Sequence, residues 1–215
     1  MAHKIKFGTD GWRAIIGEHF TVENVARVTE ATGIWLKENY ENPTVILGHD
    51  CRFAGELFME TSAKVFVAQG IPVRMAQGFV STPMISLAAN QFNCEIGVII
   101  TASHNPPSYN GFKLKAFFGG PLEPENVQAI EDIIPDQCSI DYQSIDIKTC
   151  IAEEKIEIVP IAERYVEHVK KNFDLDAINN SGLNLVYDAM YGAGQDIFKR
   201  LIPTARVLNG SFNPS

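Results

Sequence analysis

The chain has 215 residues, 46% of them hydrophobic and 20% charged, with a formal net charge of −8 and an isoelectric point near 5.1. That length can bury a substantial core, and the acidic balance excludes a broad footprint on a nucleic-acid backbone while permitting a local anion site built from a few convergent donors. No apolar run reaches the ~18 residues of a membrane span, and the opening MAHKIKFGTDGW has no apolar leader, so a cytoplasmic protein engaging neither membrane nor nucleic acid is expected.

Strand and helix signals then alternate. The first helix is expected over about 22–38, capped by Thr21, with Val22, Val25, Val28, Thr32, Trp35 and Leu36 at helical spacing. Pro43 precedes TVILG, a β-branched run of the buried-strand type. A second helix, about 55–69, ends at Gly70, and IPVRMA (71–76) reads as the next strand. Ser81-Thr82-Pro83 opens a third helix with proline in its first turn. EIGVIIT (95–101) is the strongest strand signal in the sequence. A loop over 102–110 leads into GFKLKAFF, of strand composition, then a Gly119-Gly120-Pro121 turn and a helix over about 123–134 that Pro135 stops.

This order predicts an α/β fold: a three-layer α/β/α unit with a mostly parallel sheet over residues 1–135. Residues 136–158 read as a linker or peripheral hairpin. From 159 to 215 the pattern is helix (160–172), strand LNLVYD (183–188), a Gly-bearing turn, helix (194–201) and a strand near 204–208. Two strands cannot complete a sheet alone, so these residues predict the start of an incomplete second α/β domain. Cys51, Cys94, Cys138 and Cys150 form no C-x-x-C pair, so neither structural zinc nor a disulfide framework is expected. Cys94, with Phe92 and Ile96 as neighbours, reads as core.

The chemistry concentrates in TASHNPPSYNGFK, directly after the strongest strand, where open α/β sheets place ligand sites. Within 13 residues it carries Thr101, Ser103, Ser108 and Tyr109 hydroxyls, the His104 imidazole, Asn105, Asn110 and Lys113. Its two prolines stiffen it. A stiff loop that presents a hydroxyl at a strand end suits covalent phosphoryl chemistry, which gains mostly from positioning and charge stabilisation. His104 and Lys113 are the nearby proton handlers or phosphate partners.

In FGTDGWR (7–13), Gly8 and Gly11 permit a tight turn and Arg13 offers a bidentate phosphate fork. Gly48-His49-Asp50-Cys51-Arg52 ends another strand, where Asp50 and Arg52 read equally as a structural ion pair or as ligand contacts. The glycines of Tyr191-Gly192-Ala193-Gly194 fail G-x-G-x-x-G because residue 197 is Ile, and no P-loop pattern occurs. An acyl hydrolase using Ser103 and His104 is a poor fit, since adjacent residues make a poor nucleophile–base pair and no G-x-S-x-G elbow is present. A non-catalytic binding or regulatory module of the same fold stays open.

Together these segments resemble the α-D-phosphohexomutase family of phosphoglucomutases, phosphomannomutases and phosphoglucosamine mutases, over residues 6 to about 194. TASHNP resembles its phosphoserine signature, FGTDGWR its G-T-[SD]-G-x-R element, LGHDCR its G-x-D-x-R strand end, and VYDAMYGAG the opening of its second domain. The TASHNPP-x-YNGFK form is closer to phosphoglucomutase and phosphomannomutase than to phosphoglucosamine mutase.

The resemblance implies interconversion of hexose 1-phosphate and hexose 6-phosphate through a phosphoserine and a bisphosphorylated sugar. Ser103 would be phosphoryl donor and acceptor, its phosphate ligating Mg²⁺, with hexose 1,6-bisphosphate as activator. Arg13 and His104 would bind or stabilise the transferring group, and Lys113 would act as general acid/base or phosphoserine partner. The family's D-G-D-x-D-R metal segment does not occur in the sequence. The expectation is therefore an N-terminal part of a mutase that is inactive by itself.

Overall fold

In the first helix, α1 (Val22–Asn39), the Thr21 hydroxyl accepts a hydrogen bond from the Asn24 amide at 3.2 Å, the capping geometry its position predicts. The computed structural model describes residues 3–8 and 11–213; Thr9 and Asp10, the middle of FGTDGWR, lie outside the described residues. Strand β1 (Trp12–Ile15) precedes α1, and β2 (Val45–His49), α2 (Gly55–Ala68), β3 (Val73–Ala76), α3 (Thr82–Gln91), β4 (Ile96–Ile100), β5 (Tyr109–Ala116) and α4 (Pro124–Asp132) follow.

The main sheet continues into β6 (Ile156–Val159) and has the order β1-β5-β4-β2-β3-β6. Strand β2 runs parallel to β3 and β4, and β3 parallel to β6, while β5 is antiparallel to both of its neighbours. Successive side chains of a strand point to opposite faces. Accordingly Val45 and Leu47 of β2, and Ile96, Val98 and Ile100 of β4, join the core beneath α1, α2 and α4. Ile46 and Ile99 join the opposite core beneath α3. Burial on both faces is why these strands read as unbroken apolar runs. It makes the sheet, with helices on each side, the expected three-layer unit.

Strand β1 was hidden in the sequence because only Trp12 and Ala14 of its four residues are buried, and Arg13 interrupts the apolar signal. Its position depends on Gly11, whose φ is +100° and where a Cβ would lie 2.6 Å from the Phe112 carbonyl oxygen. Glycine alone lets the chain turn into register with β5, opposite Phe112.

Residues 136–158 differ from the expected linker or hairpin. They hold a 3-10 turn (Tyr142–Ser144), helix α5 (Ile147–Ala152) and the start of β6, which adds to the sheet in parallel register with β3. Asp146 starts α5 by accepting from the Thr149 amide at 2.8 Å. The strand escaped notice because it lies at a sheet edge: Ile156 and Val159 are buried, but Glu157 and Ile158 between them are exposed.

The next helix, α6 (Ile161–Asn172), packs Ile161 and Val166 into the core beneath α3, so the layered unit extends past the expected boundary. Beyond it come α7 (Leu175–Asn179), β7 (Val186–Asp188), α8 (Gln195–Leu201) and β8 (Arg206–Leu208), with β7 and β8 paired in parallel as a two-stranded sheet. Among the described residues no helix is long and apolar enough to cross a membrane.

Candidate active site at the strand ends

Strands β2 and β4 are hydrogen-bonded neighbours, so their carboxyl ends bring Asp50 and Arg52 beside the loop that carries Ser103. The Asp50 amide donates to the Ile100 carbonyl at 3.1 Å, fastening the two exits together. Ser103 has φ +56°, a left-handed backbone that a serine rarely adopts, and its side chain is exposed. The loop's far end closes with the Tyr109 amide donating to the Pro106 carbonyl at 3.0 Å.

Arg52 reaches over this loop. One terminal nitrogen, Nη2, donates to the carbonyls of Ser103 at 2.8 Å and Asn105 at 2.7 Å. The other, Nη1, donates to the carbonyls of Pro106 at 2.9 Å and Tyr109 at 3.0 Å. Its Nε lies 3.6 Å from an oxygen of Asp50. Asp50 also accepts from the Arg52 amide at 3.0 Å and from the Thr101 hydroxyl in a short hydrogen bond. The same Thr101 oxygen accepts from the Ser103 amide at 3.0 Å. Only about 16% of the Asp50 side chain is exposed. Its pKa is raised from the ordinary carboxylate value, because burial outweighs the stabilising Thr101 and Arg52 interactions.

Of the candidate residues from the sequence, the structure brings three to the loop. His104 is exposed beside Ser103, with Nδ1 3.4 Å from the serine Oγ, which is long for an oxygen–nitrogen hydrogen bond. Arg13, on β1, donates from Nη1 to the Asn105 side-chain oxygen at 2.9 Å. Lys113 lies on β5, opposite Ile99, where it is buried and its stem packs against Gly11.

A cleft of about 550 Å³ opens in front of the loop. Asp50, Arg52, Ser103 and His104 form one wall, and Met190 and Tyr191, in the turn after β7, form the other. Met190 and Tyr191 both have positive φ, 48° and 56°. This wall is tied back by Gln195, which is buried and donates from Nε2 to the Gly192 carbonyl at 3.0 Å and to the Cys51 Sγ at 3.5 Å. Burial, with the Asp50 charge beside it, pushes the Cys51 thiol up to about 12.

Sequence reading left Asp50 and Arg52 undecided and missed Gln195 altogether. The pairing of Asp50 with Arg52 is real, and Arg52 holds four loop carbonyls besides. Only the adjacency of β2 and β4 reveals that. Among the described residues, no group of three or more His, Cys, Asp or Glu side chains is placed to hold a metal ion.

Comparison with known proteins gives a consistent result. The domain family described as phosphoglucomutase/phosphomannomutase, alpha/beta/alpha domain I, matches residues 4–139. A phosphoglucomutase/phosphomannomutase of Thermococcus kodakarensis is 34% identical over 189 residues, covering 87% of this chain and 40% of that protein. A phosphoglucosamine mutase of Nitratiruptor sp. is 30% identical over 191 residues, covering 89% of this chain and 42% of its own length. The crystal structure of a Thermus thermophilus protein assigned as a phosphomannomutase superposes with a TM-score of 0.87 at 31% identity, covering all of this chain and 48% of the other. The chain thus spans somewhat under half the length of these relatives.

Proposed function

This chain belongs to the phosphoglucomutase/phosphomannomutase family, and from that premise we propose that Ser103 carries the phosphoryl group in the interconversion of hexose 1-phosphate and hexose 6-phosphate. The observation that carries the proposal is the serine itself: an exposed hydroxyl, on a left-handed residue at a strand end, facing a cleft of about 550 Å³.

In the transfer, the bond between phosphorus and Ser103 Oγ breaks as a bond from phosphorus to a sugar hydroxyl oxygen forms. The hydroxyl proton leaves to a base, and Oγ recovers a proton or accepts the second phosphoryl group of the bisphosphate. His104, 3.4 Å from Oγ, is the candidate for that proton traffic. Arg13 is the candidate for charge stabilisation, and Lys113 for a phosphoserine partner or general acid/base. Hexose 1,6-bisphosphate is the proposed donor that first loads Ser103. Mg²⁺ enters this reading only as an ion bound to the Ser103 phosphate. Among the described residues, the carboxylates do not converge on a metal site.

The substrate class proposed is hexose phosphates, in line with relatives of both the phosphoglucomutase/phosphomannomutase and phosphoglucosamine mutase kinds. The proposal covers a cytoplasmic hexose phosphate mutase. It includes the inactivity of this 215-residue chain by itself, in line with the lack of D-G-D-x-D-R in its sequence.

The test is an assay of the full-length protein with glucose 1-phosphate, mannose 1-phosphate and glucosamine 1-phosphate, beside mass spectrometry of the Ser103 peptide. Phosphate on Ser103 and loss of transfer in Ser103→Ala are expected. Turnover retained by Ser103→Ala would overturn the reading, as would binding of hexose phosphate with no transfer at all. The second result would favour the non-catalytic module.

A further inference from the structure

We propose that Asp50 and Arg52 act as a positioning pair for Ser103, closing a ring of interactions that holds the serine backbone from both sides. The inference rests on the functional reading above for its link to phosphoryl transfer, though the ring itself does not.

The ring can be followed atom by atom. The Ser103 amide donates to the Thr101 hydroxyl oxygen at 3.0 Å. That hydroxyl donates to Asp50. Asp50 lies 3.6 Å from the Arg52 Nε, and Arg52 returns to the Ser103 carbonyl at 2.8 Å. Both backbone groups flanking the Ser103 side chain are therefore fixed through one residue pair at the end of β2. Three further loop carbonyls lie on the same guanidinium, at Asn105, Pro106 and Tyr109. A left-handed serine persists only where its surroundings over-determine it, and this ring does so.

A carbonyl-binding fork explains why position 52 takes arginine. A planar guanidinium offers five donors in fixed directions, whereas an ammonium is a compact point charge with three. Four loop carbonyls and one carboxylate surround the Arg52 side chain. A lysine would keep the charge next to Asp50 but could not span those acceptors. Arg52 also lines the cleft, yet both of its terminal nitrogens are already committed to the loop. Its part is to aim the hydroxyl, not to touch the transferring group.

Hydrogen exchange and NMR on the full chain, with turnover measured on the full-length protein, test the proposal with Arg52→Ala and Arg52→Lys. In both variants the hydrogen-bonded amides of Ser103, Asn105 and Tyr109 should exchange about tenfold faster or more, with those of β4 unchanged. The Ser103 Cα and Cβ shifts should lose their left-handed signature. Turnover should fall about 10²-fold in kcat with KM held, the mark of misplacement as opposed to lost binding. Full protection and full kcat in Arg52→Lys would overturn the proposal, because charge alone would then suffice. Unchanged loop exchange in Arg52→Ala would overturn it as well. Should Arg52→Ala fail to fold, Thr101→Val cuts the ring at the serine amide, and the same exchange and shift measurements decide. Wild type without turnover or phosphate on Ser103 would sink the functional reading, while exchange and shifts would still judge the ring.

Discussion

Arg13 and Asn105 meet at 2.9 Å across 92 residues of sequence, the guanidinium of β1 donating to the amide oxygen of the serine loop. The contact joins an edge strand to the loop on the opposite side of β5. Hydrogen bonds to charged groups outweigh neutral ones, and partial exposure reduces that advantage. A double-mutant cycle with Arg13→Ala and Asn105→Ala, followed by urea unfolding, should give a coupling of about 1 kcal/mol. Purely additive losses would count against the contact.

Ser103 pays for its backbone conformation, so substitutions there should sort by shape. Left-handed geometry costs a residue with a Cβ roughly 1–2 kcal/mol, and β-branching adds to the crowding. Ser103→Val should therefore be about 1–2 kcal/mol less stable than Ser103→Gly in urea unfolding. Equal stabilities for the two would contradict the +56° angle.

The Cys51 thiol, pushed up to about 12, should be unreactive in the folded protein although it borders the cleft. Near pH 8 its thiolate fraction is only about one part in 10⁴. Iodoacetamide should label Cys51 slowly in native protein and at ordinary thiol rates once urea has unfolded it. Fast native labelling would show that the Gln195 side of the cleft is open.

Asp50 yields a pH prediction whose sign follows from its raised pKa. The fold favours the protonated acid, so that contribution to stability is fully present below 3.8, the ordinary value, and is lost as pH rises through the higher folded value. The stability of wild type relative to Asp50→Asn should thus be level below 3.8 and decline above it. Urea unfolding of both proteins across that window measures the gap. A gap that widens in favour of wild type as pH rises would refute the assignment.

Much of this architecture is legible in the sequence, for one physical reason. Strands β2 and β4 are buried on both faces, so their apolar runs stand out, and Thr21 and Pro83 mark helix starts at positions the structure confirms. Edge strands carry weaker signals. Arg13 in β1 and Glu157 in β6 put charge where a central strand would have none, which concealed both strands. The serine loop is visible because unusual residues crowd it. Its supports are not: the Arg52 contacts span 51 to 57 residues, and the Gln195–Cys51 contact spans 144. Such partners have no local pattern, since only the strand order brings them together.

The antiparallel placing of β5 has a further effect on how the site comes undone. Because β4 and β5 are adjacent in sequence and in the sheet, the loop between Ile100 and Tyr109 is closed as a hairpin, at little cost in chain entropy. Its fasteners to β1 and β2 are long-range and individually small. Under mild destabilisation the fasteners should release first, the serine segment loosening while the hairpin beneath it stays paired. Order around Ser103 should therefore be lost before that of the sheet that displays it.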